Sequence, residues 1–189
     1  MDLILASRSP RRRDILSGLG YVFGIELSDA DEILDDSLPI SKAVEKIAHD
    51  KAENVFYRHP DAAILGADTV VVLDGNVFGK PESEEAARKM LKSLSGTTHQ
   101  VYTGVCLIAP GFDKVSHART NVTFRDLSDQ EIDDYVRSGK WMDKAGAYGI
   151  QETDFVSRIE GSYTNVVGLP IRTVELLIDC AQTSPLIDL

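Results

Sequence analysis

The strongest constraint on the fold of this chain is an almost unbroken apolar run from Ala62 to Leu73. A strand that is covered on one face alternates polar and apolar residues, whereas a strand covered on both faces is apolar throughout. The run therefore predicts a central strand, or two nearly continuous ones, followed by a hairpin turn at Asp74-Gly75-Asn76. Asp68 and Thr69 form the polar interruption of this strand.

Shorter patterns predict the elements around this strand. Strands are expected at 3–6, 22–25, 99–109, 115–124 and 155–159. Helices are expected from the Ser9 cap to Leu19, from Ser41 to Tyr57, from Ser83 to Leu94, from Ser128 to Gly139 and from Pro170 onward. The acidic segment 29–36 is expected to be a loop, and 110–113 a turn. Helices that alternate with hairpins and crossover units predict an α/β fold with a mixed sheet.

The composition is that of a globular protein, with 189 residues, 43% of them hydrophobic and 26% charged, which suits one large domain or two lobes that share a core. The net charge of −10 disfavours nucleic acid and anionic membranes as partners, because both are repelled at long range. The N-terminus is too short and acidic for a signal peptide, and no apolar run approaches the roughly 20 residues that span a bilayer. We therefore expect a cytoplasmic protein.

The spacing of cysteines and histidines contains no metal motif. Cys106 and Cys180 lie far apart and outside any CxxC pattern, which fits two buried thiols in a reducing compartment better than a disulfide. No paired metal spacing is found among the four histidines, His49, His59, His99 and His117.

Asp68 is the leading candidate for a catalytic or metal-binding acid. An ionised carboxylate inside an apolar strand costs several kcal/mol unless a metal ion, cations or hydrogen bonds compensate it. The alternative is an aspartate at a strand end that caps the following turn. Asp31 and Glu32, in the acidic loop, are weaker candidates for a second carboxylate that would help to hold a hard divalent ion.

The first turn of the first helix carries Arg11, Arg12 and Arg13, at the end where the helix dipole already favours an anion. Basic side chains do not stabilise a helix there. Their position is explained if a phosphate group binds to the backbone amides, the hydroxyls of Ser7 and Ser9, and the guanidinium groups. The alternative is a solvated arginine patch in which Ser9 only caps the helix.

Two lysines are candidates for further phosphate contacts. Lys51 lies four residues from both Ile47 and Val55, so it projects from the apolar stripe of its helix. A lysine in that position must either extend to solvent or meet an anion. Lys80 presents the same choice in the loop sequence Gly79-Lys80-Pro81.

Two segments rich in small residues, 143–151 and 161–170, let the backbone approach a ligand closely. Gln151 ends the first segment and can offer both a donor and an acceptor to the edge of a nucleotide base. Either segment could equally be a tight connection, and spacing alone identifies no substrate.

Six blocks of sequence, taken together and in their order, resemble the Maf family. The blocks are Leu5-Ala6-Ser7-Arg8-Ser9-Pro10-Arg11-Arg12, Gly66-Ala67-Asp68-Thr69-Val70-Val71, Gly79-Lys80-Pro81, Ser95-Gly96 with His99-Gln100-Val101, Asp143-Lys144-Ala145-Gly146-Ala147-Tyr148-Gly149-Ile150-Gln151, and Gly161-Ser162-Tyr163-Thr164-Asn165-Val166-Val167-Gly168-Leu169-Pro170. The match runs over nearly the whole chain. Arg8 departs from the small residue more usual between the two serines.

The resemblance implies a fold and an activity. The fold is an elongated α/β architecture similar to inosine triphosphate pyrophosphatases, a single domain over 1–189 whose two lobes flank a deep cleft, with a tendency to form homodimers. The activity is release of pyrophosphate from a nucleoside triphosphate, with a divalent cation, Mg²⁺, Mn²⁺ or Co²⁺, as cofactor.

The resemblance also implies roles for individual residues. Asp68 matches the proton acceptor of the family. Polar positions around the phosphates and the metal are Ser9, Arg12, Glu32, Lys51, Lys80 and Lys144. Arg11, Thr69 and Gln151 match the positions associated with substrate choice, in a combination typical of the branch that acts on dTTP and UTP and unlike the branch that acts on 7-methyl-GTP.

These residues lead to a mechanistic hypothesis and two rivals. Asp68 and Glu32 would hold one divalent ion on the phosphates, and the cations of Arg11, Arg12, Lys51 and Lys80 would neutralise the triphosphate. Asp68 or a neighbouring residue would orient water onto the α-phosphorus. One rival is a regulatory nucleotide-binding protein, since the family name derives from septum formation in bacteria. The other is a binder of single-stranded nucleic acid, which the net charge of −10 and the lack of an aromatic stacking platform disfavour.

Overall fold

A computed structural model describes residues 2–183 of the chain. Its strands are β1 Leu3–Leu5, β2 Phe23–Ile25, β3 Ala63–Leu73, β4 Asn76–Phe78, β5 Thr98–Ala109, β6 Phe112–Phe124 and β7 Val156–Glu160. Its helices are α1 Pro10–Gly18, α2 Ile40–Phe56, α3 Glu84–Leu94, α4 Asp129–Arg137, α5 Tyr163–Val167 and α6 Ile171–Thr183, with a short 3-10 helix at Ala145–Ala147. Within this part of the chain no helix is long and apolar enough to cross a membrane.

Seven strands form one sheet, in which hydrogen-bonded neighbours follow the order β2-β1-β3-β5-β6-β7 and β4 pairs with β3. β1 is parallel to both β2 and β3, whereas β4 is antiparallel to β3 and β7 is antiparallel to β6. The sheet is therefore mixed, and the predicted α/β class is confirmed. The apolar run of the sequence is β3, and it has strands on both sides as its apolar composition predicts.

The chain forms two compact units. The first comprises Met1–Asp68, Thr103–Ala118 and Gly168–Leu189, and the second comprises Thr69–Tyr102 and Arg119–Val167. The division falls within β3, between Asp68 and Thr69. The first unit holds Asp68 and the arginine cluster, and the second holds the small-residue segment 143–151 and residues 161–167 of the other one.

In the first unit, the residues of β3 alternate between two apolar layers, as strand geometry requires. Ala63, Leu65 and Ala67 pack in the layer that contains residues of α1 and α6, whereas Ile64 packs with the small side chains of α2. The same period of two puts Asp68, four residues after Ile64, on the face that α2 covers. The strand pattern thus aims the one acidic side chain of β3 at a helix.

Two glycines bring α2 into direct contact with the backbone of the sheet. A Cβ atom at Gly66 of β3 would lie 2.2 Å from the carbonyl oxygen of Ala48, and one at Gly104 of β5 would lie 2.2 Å from that of Val44. No side chain tolerates such distances, so both positions accept only glycine while α2 stays where it is. This close approach shortens the distance that a polar side chain of α2 must span to reach β3.

In the second unit, His99 lies in a buried aromatic cluster. Its ring centroid is 5.0 Å from that of Phe124 and 5.5 Å from that of Tyr148. Its Nε2 lies 2.8 Å from the Tyr148 hydroxyl oxygen, while Nδ1 has no hydrogen-bond partner among residues 2–183. Burial lowers the pKa of His99 to about 4, so the imidazole is neutral at neutral pH.

The hairpin between β5 and β6 is tighter than the sequence suggested. Only Pro110 and Gly111 connect the strands, because Phe112 and Asp113 already belong to β6. Gly111 adopts a φ of +74°, a conformation that glycine reaches without steric cost and that lets a short turn close the hairpin. Asp113 consequently lies on a strand, next to the helix-covered part of the sheet.

Three further expectations need correction. α2 begins at Ile40 and not at Ser41, because the chain turns into the helix directly after a proline. Residues Tyr163–Val167 form the short helix α5, where a plain connection was an open alternative. Cys106 is buried as expected, but Cys180 is exposed on α6, and no disulfide joins the two.

The close contact between α2 and β3 predicts that Gly66→Ala destabilises the protein. The new methyl group would force α2 away from the strand, at a cost of about 1–3 kcal/mol or more in the free energy of unfolding, measured by urea denaturation. Gly24→Ala in β2 is the matched control, because a Cβ there meets only Ile4 Cγ1 at an ordinary 3.7 Å. Equal stability of the two variants would contradict the direct contact.

The buried imidazole of His99 predicts a loss of stability in mild acid. In the unfolded chain His99 is protonated below about pH 6.5, whereas in the folded chain it is protonated only below about pH 4. The free energy of unfolding therefore falls by up to about 3 kcal/mol between these pH values. The loss begins as the pH drops through the unfolded pKa. Urea titrations between pH 7 and 5 should show this decrease in the free energy of unfolding in the native protein and in the control variant His59→Gln. The decrease should be absent in His99→Phe. If it persists in His99→Phe, the assignment to His99 is wrong.

Candidate active site

Three elements of the first unit bring polar side chains together: the turn from β1 into α1, the helix α2, and the middle of β3. The buried centre is an ion pair between Lys51 of α2 and Asp68 of β3, which are 6% and 7% exposed. Lys51 Nζ donates to Asp68 Oδ1 at 2.8 Å and also lies 3.0 Å from Oε1 of Glu32 in the acidic loop. One ammonium therefore holds two carboxylates, of which Asp68 is buried and Glu32 is half exposed.

This geometry decides two alternatives that the sequence left open. Lys51 does not extend to solvent but meets an anion, and that anion is a carboxylate of the protein itself. Asp68 does not cap a turn, since it lies inside β3 and accepts a hydrogen bond from a different element. Removing one partner of such a pair leaves an uncompensated buried charge, which typically costs about 3–5 kcal/mol of stability.

Arg12 links the start of α1 to β3 and to Gly168, which lies between α5 and α6. Its Nε donates to the carbonyl oxygen of Gly168 at 2.8 Å, and its Nη1 donates to that of Ala67 at 2.9 Å. Nη1 also donates to Oγ of Ser7 at 3.2 Å, and the same hydroxyl oxygen accepts from the amide of Ser9. Arg12 thus fixes the turn between β1 and α1 against the residue that precedes Asp68.

The three arginines in the first turn of α1 differ in their burial. Ser9 Oγ accepts from the amide of Arg12 at 3.4 Å, so Ser9 caps α1 as the sequence predicts. Arg12 is buried, Arg11 is half-buried, and Arg13 is exposed and pairs with Asp14 at 3.2 Å. The solvated-patch interpretation therefore holds for Arg13 and is wrong for Arg12.

The electrostatics of the site combine cations and carboxylates at short range. Burial lowers the pKa of Arg12, and the charges of Asp68 and Glu32 oppose that shift, so the guanidinium lies within electrostatic reach of both. Lys51 adds a second buried cation. Such a site can attract an anion to the N-terminus of α1 and a cation to the carboxylates.

The donor set also fits a hard divalent cation. The carboxylates of Asp68 and Glu32 converge on one point, where the ammonium of Lys51 serves as the protein's own cation. Carboxylate oxygens are the ligands that Mg²⁺ and Mn²⁺ prefer. Asp31, the other acidic candidate of the loop, is exposed.

Lys144, in the second unit, is a buried lysine that was assigned to the phosphates by resemblance. Its Nζ lies 3.1 Å from Oε2 of Glu152 and donates to the carbonyl oxygen of Lys140. A Cβ at Gly149 would lie 2.7 Å from Cε of Lys144, so this glycine leaves room for the lysine side chain. The position of the Lys144 side chain therefore explains why residue 149 of the small-residue segment is a glycine.

The other predicted residues of the second unit differ in exposure. Thr69 is half-buried on β3, whereas Lys80 and Gln151 are exposed. Gln151 lines an open hollow of about 470 Å³, whose other lining residues are the acidic Glu131, Asp134, Glu152 and Asp154 together with Tyr135, Thr153 and Phe155. Each of the four carboxylates pairs with a basic side chain, Glu131 and Asp154 with Arg125, Asp134 with Arg137 and Glu152 with Lys144.

The sequence did not reveal the partners that hold the key cations. Glu152 pairs with Lys144, and the carbonyl oxygens of Ala67 and Gly168 hold Arg12. A carbonyl oxygen is present at every residue, so no side-chain pattern marks the two that bind Arg12. Glu152 directly follows Gln151, and its adjacency to that segment was the only available signal.

The chain is similar to known proteins over nearly its whole length. A family model described as Maf-like protein matches residues 2–180. A dTTP/UTP pyrophosphatase of Moorella thermoacetica is 52% identical over 180 residues, covering 93% of each chain. Another from Phocaeicola vulgatus is 50% identical over 182 residues, covering 90% of this chain and 91% of its own.

The dTTP/UTP pyrophosphatase of Deinococcus radiodurans is a more distant relative. It is 44% identical over 184 residues, and the match covers 96% of this chain and 94% of its own. Among solved structures, a nucleoside-triphosphatase described as a dITP/XTP pyrophosphatase, from Mycobacterium abscessus, aligns over 98% of this chain with 13% identity and a TM-score of 0.49. The family model and the relatives near half identity each span nearly the whole chain, and together they establish that this protein belongs to the Maf family.

Proposed function

We propose that this protein hydrolyses dTTP and UTP to the nucleoside monophosphate and pyrophosphate. The observation that carries the proposal is the buried Asp68–Lys51 pair, with Glu32 beside it, next to the capped N-terminus of α1. A fully buried acid among cations in a chain of net charge −10 fits chemistry on a polyphosphate. Family membership and the names of its relatives support the pyrimidine triphosphates as substrates.

In the proposed reaction, the triphosphate docks at the first turn of α1. The Ser7 and Ser9 hydroxyls and the side chain of Arg11 are proposed to bind its oxygens, at the end of the helix where the dipole favours an anion. Arg12 contributes a buried positive charge while its hydrogen bonds keep the turn in place. Lys80 and Lys144 are proposed as further phosphate contacts on the resemblance alone.

Asp68 is proposed as the base. It takes a proton from water as the water oxygen attacks the α-phosphorus, and the bond between that phosphorus and the bridging oxygen breaks to release pyrophosphate. Lys51 keeps the carboxylate of Asp68 in one orientation and offsets its charge when no substrate is bound. Glu32 pairs with the same ammonium at 3.0 Å.

We also propose that catalysis requires a divalent cation, Mg²⁺, Mn²⁺ or Co²⁺, held by Asp68 and Glu32. Bound there, such an ion would offset negative charge that develops on the phosphate oxygens. The carboxylates already converge on a cation, Lys51, which is the arrangement that the ion needs. A homodimer is proposed on the resemblance alone, and a cytoplasmic location on the sequence alone.

Replacement of Asp68 by asparagine tests the catalytic assignment. Asp68→Asn keeps an oxygen that can accept from Lys51 but removes the base, so kcat for pyrophosphate release from dTTP should fall by about 10²–10⁴-fold. Asp61→Asn, which alters an exposed carboxylate of the same unit, is the matched control and should retain turnover. Thermal melting of both variants separates lost chemistry from lost folding.

Full turnover of a folded Asp68→Asn variant would refute the role of Asp68. Absence of turnover by the native protein on dTTP, UTP, CTP, dATP, GTP and 7-methyl-GTP, with nucleotide binding intact, would instead favour the regulatory nucleotide-binding protein. Activity confined to 7-methyl-GTP would contradict the roles in substrate choice given to Arg11, Thr69 and Gln151.

Gln151 is proposed to read the pyrimidine edge, where its amide can accept from N3–H and donate to O4 of uracil or thymine. Gln151→Glu keeps an acceptor and loses the donor, which suits the amino group of cytosine better. The ratio of kcat/KM for UTP over CTP should therefore fall by about 10–100-fold, the equivalent of one bidentate contact of 1–3 kcal/mol. An unchanged ratio with lowered kcat for both nucleotides would assign Gln151 to the chemistry and not to the base.

A further inference from the structure

A second cluster of potential ligands lies in the first unit, and the proposed hydrolysis does not use it. His49 of α2, Cys106 of β5 and Asp113 of β6 each offer one ligand atom, and these atoms all lie within 4.8 Å of one another. His49 Nε2 is already 3.0 Å from Asp113 Oδ2. His49 is far in sequence from Cys106 and Asp113, so the absence of a metal motif in the sequence did not exclude their meeting.

We propose that His49, Cys106 and Asp113 form a binding site for a borderline-soft divalent ion, for which Zn²⁺ is the best candidate. The ligands are an imidazole nitrogen, a thiol sulfur and a carboxylate oxygen, and this mixed set is the one that zinc accepts and that Mg²⁺ does not. The proposed catalytic ion, in contrast, has only carboxylate oxygens. The two sites therefore differ in chemistry as well as in residues.

The dimensions of the cluster fit the coordination sphere of zinc. Bonds of about 2.0–2.3 Å in a tetrahedron place ligand atoms about 3.3–3.6 Å apart. The nitrogen–oxygen distance of 3.0 Å lies slightly below that range, and no pair exceeds 4.8 Å. A shift of about one ångström by side chains alone would complete three corners, leaving the fourth to water.

A carboxylate, that of Asp50, also lies near the second ring nitrogen of His49, although beyond hydrogen-bond distance. Nδ1 of His49 lies 3.9 Å from Oδ1 of Asp50, while Nε2 faces Asp113. Metal-bound histidines commonly direct their second ring nitrogen to a carboxylate, which fixes the ring and raises its basicity. Lys46 Nζ lies 2.5 Å from the other oxygen of Asp50 and restrains that carboxylate in turn.

The cluster is accessible from solvent, and the Cys106 thiol must lose its proton to bind an ion. His49 and Asp113 are partly exposed, and they cover Cys106, which is fully buried. Burial raises the pKa of the Cys106 thiol, and Asp113, Glu53 and Asp50 raise it further. An ion that reaches the sulfur replaces the S–H bond by an S–Zn bond, and the proton leaves to solvent.

The site would join α2, which carries part of the proposed active site, to the neighbouring strands β5 and β6. α2 carries both His49 and Lys51, and β5 carries Cys106 two residues after Gly104, where α2 touches the sheet. An ion held by α2, β5 and β6 would lock the helix against the sheet at the contact that positions Lys51. The inference concerns binding and stability and holds whether or not the protein cleaves nucleotides.

The test is metal binding by the full-length protein, with Mg²⁺ in large excess to fill sites made of oxygen ligands. Titration with Co²⁺ in place of Zn²⁺ should produce a sulfur-to-cobalt charge-transfer absorption, which reports a thiolate ligand directly. Titration with Zn²⁺ should abolish it, with one zinc ion bound per chain. Zinc at a hundredfold excess over Kd should also raise the Tm by about 5–10 °C.

The variants identify the ligands. Cys106→Ser should lose the cobalt absorption, and His49→Gln and Asp113→Asn, which alter partly exposed side chains and keep the fold, should each weaken zinc binding by at least about 10–100-fold. Cys180→Ser and Asp68→Asn are the controls and should bind as the native protein does. Absence of a thiolate band, or loss of zinc in Asp68→Asn with retention in Asp113→Asn, would overturn the proposal.

Discussion

The site depends on one packing constraint, the contact between α2 and the backbone of β3 and β5 at Gly66 and Gly104. At these glycines the helix has no side chain beneath it, so its polar groups reach the strand directly. Asp68 lies two residues beyond Gly66, on the same face, and Lys51 of α2 meets it at 2.8 Å. A bulkier residue at Gly66 would separate the two elements, and the buried carboxylate would lose its cation.

The same constraint explains why buried charge is tolerated in this part of the fold. Arg12 satisfies two backbone carbonyl oxygens and a hydroxyl, and Lys51 satisfies two carboxylates, so neither cation is buried without partners. Satisfied buried networks are rigid, because any displacement leaves a desolvated group unpaired. Rigidity of this kind suits catalysis on a phosphoanhydride, which relies mostly on the positioning of charges.

The sequence predicted the strands and helices well because apolar runs, glycines and helix caps act locally. β3 follows from its continuous apolar pattern, and Ser9 and Ser128 cap their helices as expected, while Ser83 also caps α3. The partners of buried side chains could not be predicted in the same way. Lys51 was recognised as misplaced on an apolar stripe, but its pairing with Asp68 depends on register between a helix and a strand.

The cluster of His49, Cys106 and Asp113 and the pairing of Lys144 with Glu152 also form through tertiary contacts. Neither could be predicted from the sequence. In the first case, residues of three elements meet only after the β5–β6 hairpin folds under α2. Asp113 was expected in a turn, so its position on β6 could not be anticipated. Local patterns fix where elements begin and end, whereas side-chain partners depend on how those elements pack.

The most direct measurement of the central claim is a double-mutant cycle on kcat for pyrophosphate release with Asp68→Asn, Lys51→Met and their combination. Residues that act as one unit show effects that do not multiply. If Lys51 serves catalysis through Asp68, the double variant should lose about as much activity as Asp68→Asn alone. Losses that multiply would show that the two residues act independently, and would contradict the account.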